Sequence, residues 1–249
     1  MLALLACHPA LDRPADTCAS CHAPESEAWR ASLHATADRT PAFAEALRRA
    51  QDPWCHTCHL PGTGVGCASC HGPAGRTCEQ CHQFDLPGTA VASQDTAREH
   101  AASSFASTPC TGCHDPHLAP GAHDAERVRA ALSVDVRGTE AVVTSHGVGH
   151  ALPTGDPFRR LVLEVCADLA CRRVIDVHTL ERALRESPEG WSVRNDSRVP
   201  PPVEGPDSTV RFAVAEGRAW RLWYRYTDPR HREVAESLLV DGGIVRSSR

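Results

Sequence analysis

The second half of the chain, from residue 128 onward, alternates apolar and polar positions with a period of two. The pattern runs through six segments: ALSVDV, AVVTSH, RLVLEVC, CRRVIDV, TVRFAV and AWRLWYRYT. Turn-forming pairs such as Arg137-Gly138 and Glu216-Gly217 lie between them. Because alternation of this kind places one face of each strand in a core, it predicts an all-β antiparallel sandwich. The segment TLERALRE is the exception and is predicted as a short helix.

The first half of the chain lacks this alternation. It is rich in Ala, Pro, Gly and His and poor in Ile, Val and aromatic residues. One stretch, SEAWRASLHATA, has helical spacing at Trp29 and Leu33, with Ser26 as a candidate cap and Glu27 in the first turn. The composition predicts a multidomain protein whose N-terminal domain is mostly α-helix and loop with little regular structure. We assign an N-terminal segment at 1–14, a Cys- and His-rich domain at 15–127 and the β-sandwich at 128–249.

Five times in the Cys- and His-rich domain, two cysteines separated by two residues are followed at once by a histidine. This is the attachment motif of c-type haem, in which the cysteines form thioethers with the vinyl groups and the histidine becomes the proximal iron ligand. Zinc ribbons and disulfide frameworks, the alternatives, do not need a histidine after each pair. The sequence therefore predicts five covalent haems c, at Cys18/Cys21/His22, Cys55/Cys58/His59, Cys67/Cys70/His71, Cys78/Cys81/His82 and Cys110/Cys113/His114.

Two consequences follow from the motifs. Only short loops join the second, third and fourth motifs, so those haems are expected to lie close together and to form a conduction path. The domain also has too few apolar side chains to fill a core by itself. Haem is expected to supply the missing bulk, and the domain is expected to be unfolded without it.

The opposite face of each iron needs a sixth ligand, or stays open for a substrate. Met1 is the only methionine and the chain has no lysine, so methionine and lysine ligation are effectively excluded. Histidine remains, and the motif-free histidines are numerous enough for all five irons. His34 lies in the predicted helix and His100 just before the fifth motif. His117 is too close to His114 to reach the far face of its own haem and is expected to cap a neighbour.

Further candidates lie outside these stretches. The loop SHGVGHALPTGDPFRR carries His150, a candidate ligand from the second domain, with His146 in reserve; a structural role in a polar loop is the alternative. His123 and His8 are weaker candidates, and His56 is expected to face solvent. In the same half of the chain, Cys166 and Cys171 flank the turn ADLA and are predicted to form a disulfide across a hairpin.

The N-terminus, MLALLACHPA, bears on the cellular compartment. Covalent haem attachment takes place outside the cytoplasm, yet Met1 to Ala6 is too short for the apolar region of a signal peptide. The residues ending at Cys7 look like the end of a bacterial lipoprotein signal, so we predict an upstream start and a lipidated Cys7; an ordinary cysteine is the alternative. The predicted location is the periplasm or the outer membrane as a lipoprotein, and the cell surface is a further option.

Two stretches resemble the multihaem cytochromes c related to the tetrahaem electron acceptor of hydroxylamine oxidation. They are CASCHAPESEAWRASLHATA and GCASCHGPAG, and the resemblance covers about residues 15 to 120. It implies that His34 is a distal ligand and extends to His100 and His117. GHALPTGDPFRR and WSVRNDSRVPP resemble the β-sandwich appended to some multihaem cytochromes. Related enzymes differ from this chain: pentahaem nitrite reductases use a lysine-ligated haem, and hydroxylamine oxidoreductases use a cross-linked tyrosine, whereas Tyr224 and Tyr226 lie in a predicted strand.

The sequence predicts an electron carrier rather than an enzyme, with no catalytic residue assigned. Its expected partners are redox proteins of unknown identity, and an oligomer or a haem-chain assembly is a further option. The alternative function is a haem-dependent reductase of small nitrogen or sulfur oxyanions that uses one five-coordinate iron. The formal net charge is −5 and no basic stripe is present, so nothing points to nucleic-acid binding.

Overall fold

A computed structural model of the chain describes residues 18–50, 59, 64–72, 75–86, 89–188, 190–227 and 236–247. They fall into two compact units. The first unit contains the chain up to Cys81 together with Cys110–Pro120. The second contains His82–Pro109 and Gly121–Arg249. The segment 82–109, assigned from sequence to the Cys- and His-rich domain, thus belongs to the same unit as the C-terminal strands.

The helices are short, and two of them coincide with haem-attachment motifs. Helix α1 begins directly after the first motif, where Pro24 lies in the first turn. A proline there needs no hydrogen-bond partner and has a helical φ. Ser26, predicted as the cap, therefore lies inside α1, where it is buried. The helices are α1 (Ala23–Ala31), α2 (Pro41–Ala50), α3 (Cys67–His71), α4 (Cys78–His82), α5 (Thr96–Ala101) and α6 (Ala125–Ala130), with 3₁₀ turns at His34–Thr36 and Cys110–Gly112.

Ten strands form three antiparallel sheets. A two-stranded sheet pairs β1 with β2, a five-stranded sheet has the order β10-β9-β5-β6-β7, and a three-stranded sheet has the order β3-β4-β8. All six segments predicted as strands overlap a strand. The strands are β1 (Gln83–Asp85), β2 (Ala92–Asp95), β3 (Leu132–Arg137), β4 (Glu140–His146), β5 (Arg160–Cys166), β6 (Val174–Ser187), β7 (Gly190–Asp196), β8 (Asp207–Ala213), β9 (Ala219–Arg225) and β10 (Ser237–Ile244).

The hydrophobic core lies in the second unit, between the two larger sheets. Val136 and Val143 of the three-stranded sheet and Leu161, Leu222 and Tyr224 of the five-stranded sheet belong to one buried cluster. The first unit has almost no such core: Ala35 is its only buried hydrophobic residue within the described ranges. Among the described residues, the buried apolar side chains are thus concentrated in the second unit.

The fold class predicted from the sequence is wrong. The structure is 36% strand and 22% helix, with three sheets and six helices among the residues described, so it is not a mostly helical and loop domain joined to a sandwich. The two-stranded sheet lies in the half of the chain where no strand was predicted. TLERALRE, predicted as a helix, is part of β6. None of the helices in the described ranges is both long and apolar enough to cross a membrane.

Candidate haem-attachment sites

Each motif that the structure describes in full lies on a single helical turn. Two form α3 and α4, and two are isolated turns in which the histidine N–H donates to the carbonyl of the first cysteine, His22 to Cys18 at 2.9 Å and His114 to Cys110 at 2.9 Å. Residues i, i+3 and i+4 share one face of a helical turn. Both thiols and the imidazole of a motif are therefore on one side, as covalent attachment to one haem requires.

The second motif is described only at its histidine, since Cys55 and Cys58 lie outside the described residues. The His59 ring stacks on Phe43 with centroids 3.9 Å apart. Its Nδ1 donates to the carbonyl of Ala37, so the ring is held on two sides by residues of the first unit.

Three proximal histidines make the same kind of hydrogen bond through Nδ1. Besides His59, His114 Nδ1 donates to the Pro120 carbonyl at 2.8 Å, and His82 Nδ1 lies 3.0 Å from Gln94 Oε1. A carbonyl oxygen can only accept, so the proton is on Nδ1 and the lone pair is on Nε2. Metal-ligating histidines are usually oriented this way. The three rings thus have the tautomer that binds iron through Nε2.

Cysteines of the first, third, fourth and fifth motifs influence one another within the first unit. Burial, followed by the neighbouring Cys18 thiol, raises the pKa of Cys67. Burial and the Cys81 thiol raise the pKa of Cys70 in the same way. The fourth and fifth motifs meet at Cys78 and Cys110, whose pKa burial also raises and whose side chains share a hydrogen bond. The first, third, fourth and fifth motifs therefore form one continuous series.

Cys21 and Cys113, the second cysteines of the first and fifth motifs, differ from their motif partners in exposure. Both are exposed, whereas Cys18 and Cys110 are half-buried. Cys21 and Cys113 were predicted to form thioethers with haem. Their backbone is nevertheless fixed, because the Cys21 N–H donates to the Cys18 carbonyl at 3.1 Å and the Cys113 N–H to the Cys110 carbonyl at 3.2 Å. Turn geometry, and not burial, supports haem attachment at Cys21 and Cys113, and their thioethers stay predictions.

His34 lies in a segment held by tertiary contacts rather than in a long helix. Helix α1 ends at Ala31, and His34 begins the separate 3₁₀ turn. The His34 carbonyl accepts the Val65 N–H at 2.8 Å, and Trp29 Nε1 donates to the Val65 carbonyl at 2.7 Å. Gly64 has a φ of +60°, and a side chain there would come within 2.5 Å of the His34 carbonyl. The predicted helix is therefore interrupted, but His34 has a defined place.

His117 lies beside the proximal histidine of the third motif. The His117 and His71 ring centroids are 6.1 Å apart and the ring planes differ by 18°. The Asp115 carboxylate fixes this turn by accepting the His117 N–H at 2.8 Å and the Leu118 N–H at 2.9 Å. These backbone hydrogen bonds lower the pKa of Asp115. His117, which follows the fifth motif in the chain, thus lies near the histidine of the third motif.

The segments that carry His100 and His150 contact each other in the second unit. His100 lies on α5, and a side chain at Gly149 would come within 3.0 Å of the His100 ring. His150 Nδ1 donates to the Ala151 carbonyl at 3.0 Å. Glu99 connects the two segments, because its Oε2 accepts the Ala151 N–H at 3.2 Å and the Thr154 hydroxyl at 2.7 Å.

The remaining histidine candidates are engaged with the strands of the second unit. His123 stacks on Tyr226, with centroids 4.3 Å apart, and burial followed by the Arg159 charge lowers its pKa. His146 Nε2 is 2.8 Å from the Ser133 hydroxyl, and its Nδ1 is 3.2 Å from Asp207. Since both ring nitrogens of His146 have polar partners, iron binding there would require breaking one of these contacts. His8, His56 and Cys7 lie outside the described residues.

Several residues that hold the candidate ligands had no sequence signal. Gln94, Ala37 and Pro120 accept hydrogen bonds from proximal histidines. Gln94 and Ala37 lie 12 and 22 residues from their histidine partners in the chain. These are tertiary contacts, which no local spacing reveals. Outside the motifs, Cys166 and Cys171 are joined as a disulfide with Cα atoms 5.0 Å apart.

One comparison with known proteins found a similar fold. No protein-family model matches the chain, and no curated protein matches it. A solved structure does: a penta-haem cytochrome c552 from Thermochromatium tepidum, 17% identical in sequence, with a TM-score of 0.72, covering 96% of this chain and 100% of that one. At this identity the likeness shows the fold. The chain has the fold of a pentahaem c-type cytochrome.

Proposed function

We propose that the chain is a multihaem c-type cytochrome that carries five covalent haems and transfers electrons between redox partner proteins. The helical-turn geometry of the motifs carries the proposal, and the influence of Cys18 on Cys67 and of Cys81 on Cys70 supports neighbouring motifs. Because each haem is attached through the cysteines of its motif, motifs in contact hold their haems within short reach of one another. A series of close redox centres suits transfer along a chain better than catalysis at one centre.

The residues of the chain fit the cofactor at every motif described in full. The two thiols and the imidazole share one face of a turn, and Ala35 is the only buried hydrophobic residue of the first unit in the described ranges. When bound, haem supplies an iron that cycles between the ferric and ferrous states. The protein would hold each ring by the two cysteines of its motif, and the Nδ1 hydrogen bonds of His59, His82 and His114 would orient those three proximal imidazoles.

For the third haem we propose His117 as the sixth ligand. Two imidazoles on opposite faces of one metal have ring centroids about 6 Å apart, taking metal–nitrogen bonds of about 2 Å and about 1 Å from nitrogen to ring centre. The 6.1 Å separation of the His117 and His71 ring centroids supports this proposal. For the other irons, His34, His100, His123 and His150 stay predictions.

Export and partner proteins are part of the proposal. Covalent haem attachment takes place outside the cytoplasm, which supports an exported protein, and lipidation at Cys7 stays a prediction. An electron carrier needs a donor and an acceptor, both expected to be redox proteins.

Intact-mass measurement of the protein matured in a host that attaches haem c tests the cofactor content. The expected mass is that of the chain plus five haems, and replacing Cys67 and Cys70 by Ala removes one of them. Replacing Cys166 and Cys171 by Ala is the matched control, because these cysteines form a disulfide, and it leaves five. A chain without covalent haem at the motifs would overturn the proposal.

Transfer itself is tested by mixing the reduced holoprotein with an excess of an oxidised small cytochrome c. The proposal expects all the haems of one molecule to be reoxidised through the protein. Reoxidation of a single haem, with the others left reduced, would show that the centres are isolated and contradict the proposal.

A further inference from the structure

The outer face of the three-stranded sheet carries a serine, a histidine and an aspartate on its three strands. Ser133 lies on β3, His146 ends β4 and Asp207 begins β8. Asp207 lies directly opposite His146, and Ser133 lies opposite Thr144, two residues before His146. Since side chains two residues apart share a face of a strand, all three side chains lie on the same side of the sheet. The other side packs into the core through Val143, so this side faces solvent.

Two hydrogen bonds in series join the three side chains. The Ser133 hydroxyl oxygen is 2.8 Å from His146 Nε2, and His146 Nδ1 is 3.2 Å from the Asp207 carboxylate. A carboxylate oxygen accepts, so the proton is on Nδ1, and Nε2 has the lone pair that accepts the serine O–H. This is the order of atoms in a Ser-His-Asp triad, in which the imidazole takes the proton of the attacking hydroxyl and the carboxylate orients the imidazole.

Backbone hydrogen bonds hold His146 from both sides. The His146 N–H donates to the Ala131 carbonyl at 2.9 Å, and the Gly147 N–H donates to the Pro206 carbonyl at 2.8 Å. Ala131 directly precedes β3 and Pro206 directly precedes β8, so the histidine is tied to the two strands that carry its side-chain partners. A base on a central strand is held more precisely than a base on a loop.

Solvent reaches all three side chains. Ser133 is exposed, and the exposed fractions of the His146 and Asp207 side chains are 38% and 50%. A substrate therefore approaches the serine oxygen without any rearrangement of the sheet. An open face has no walls to enclose a long acyl chain, which favours esters with a small uncharged acyl group.

The same face supplies a donor for the charge that develops on the carbonyl oxygen of an ester. Thr144 lies opposite Ser133, and Thr209 lies opposite Thr144. The two threonine hydroxyl oxygens are 3.1 Å apart. Among the described contacts their mutual bond uses one of the two hydroxyl hydrogens, which leaves the other for a negatively charged oxygen. A donor placed in this way stabilises a tetrahedral intermediate.

We propose that Ser133, His146 and Asp207 hydrolyse esters that have a small uncharged acyl group. The Ser133 oxygen bonds to the carbonyl carbon while its proton passes to His146 Nε2. The bond from this carbon to the alcohol oxygen then breaks, and the alcohol leaves with the proton from Nε2. Water attacks the acyl-serine, gives a proton to Nε2 and releases the acid, and that proton returns to the serine oxygen. No electron is transferred, so this activity is independent of the haems.

Labelling of the holoprotein with phenylmethylsulfonyl fluoride, located by peptide mass spectrometry, tests the nucleophile. One adduct is expected, on Ser133 with loss of fluoride, and His146→Gln should slow its formation by on the order of a hundredfold. Asp207 acts through His146, so Asp207→Asn should slow the labelling and Asp207→Glu should restore it. Ser192→Ala, at an exposed position of β7, is the matched control and leaves the labelling of Ser133 unchanged.

Acetate release from phenyl acetate, followed by proton NMR, tests turnover. The holoprotein and Ser192→Ala should release many acetate molecules per chain, whereas Ser133→Ala should release acetate only at the rate of buffer. Equal rates for Ser133→Ala and the holoprotein, a label on Ser133 without acetate release, or labelling that His146→Gln leaves unchanged would overturn the proposal. None of these results depends on haem content or electron transfer, so the proposed function stands or falls separately.

Discussion

At the scale of single residues, the hydrogen bond to Nδ1 decides how each proximal histidine can act. His82, whose partner is Gln94, and His114, whose partner is the Pro120 carbonyl, differ in the strength of the acceptor although both hold the same tautomer. An acceptor at Nδ1 raises the basicity of the ligand. A stronger acceptor therefore favours the ferric state and lowers the potential of that haem.

Two substitutions of Gln94 should shift the midpoint potential of the fourth haem in opposite directions. Gln94→Leu removes the acceptor 3.0 Å from His82 Nδ1, so one midpoint potential should rise, on the order of 60 mV for a tenfold change in relative ferric affinity. Gln94→Glu supplies a stronger acceptor and should lower the same potential. Spectroelectrochemical titration measures both. Shifts of the same sign in the two variants would show that the hydrogen bond does not tune this haem.

Replacing His117 tests its role as the sixth ligand of the third haem. In His117→Ala one haem of five should become high-spin, because the far face of its iron loses the imidazole now 6.1 Å from His71. Magnetic circular dichroism in the near infrared counts the low-spin bis-histidine centres. His178→Ala is the control, since that ring stacks on Phe212 and contacts Asp176. Five low-spin haems in the His117 variant would refute the assignment.

At the scale of elements, the period-two pattern predicted the strands whose inward side chains are apolar. It did not predict the strand β6 over TLERALRE, where an inward side chain is polar. TLERALRE was predicted as a short helix, yet it is part of β6. In β6, Arg182 lies between Leu180 and Leu184 and its side chain is buried. It donates hydrogen bonds to backbone carbonyls of β2. These acceptors are distant in the chain, so the sequence pattern could not predict a buried arginine at this position. Strand β7 was not predicted either, because five of its seven residues are exposed and do not alternate.

The contact between α5 and the loop 147–157 shows how elements position candidate ligands. Glu99 of α5 binds the loop through Ala151 and Thr154 and forms an ion pair with Arg198. His100 and His150 are the chain neighbours of two of these residues. The sequence identified both histidines, whereas the carboxylate that holds their segments together could not be recognised, because its partners lie about 50 and 100 residues away in the chain.

Weakening this contact should destabilise the second unit. Glu99→Gln removes the charge beside buried Arg198 and replaces one accepting oxygen by an NH₂ group that cannot accept, so the free energy of unfolding should fall by about 2 kcal/mol. Thermal or chemical denaturation of the holoprotein measures the loss. Glu140→Gln is the control, since Glu140 is exposed and its contact with Arg211 is 4.0 Å long. Equal stabilities of the two variants would contradict the role given to Glu99.

At the scale of the whole molecule, the two units differ in what stabilises them. The second unit has the large buried cluster between its sheets, whereas the first has Ala35 as its sole buried hydrophobic residue in the described ranges. This difference was predicted from composition, although the division of the chain between the units was not. The segment 82–109 is assigned to the second unit through tertiary contacts of β2 and α5.

Preventing haem attachment should therefore unfold one unit and leave the other. With the motif cysteines replaced by Ser, amide hydrogens of 18–81 should exchange rapidly because nothing replaces the missing core. Amides of β4, β5 and β9 should stay protected by the buried cluster. Hydrogen-exchange mass spectrometry measures the exchange of both sets of amides. Strong protection across 18–81 without haem would contradict this account of the first unit.

The central claim is that every iron is a transfer centre rather than a substrate site. Low-temperature EPR of the fully oxidised, haem-loaded protein tests it most directly, because six-coordinate low-spin iron and iron with an open position give distinct signals. The account predicts low-spin signals from all five haems. A high-spin signal amounting to one haem per molecule would contradict it and would identify a site where a small oxyanion can bind iron.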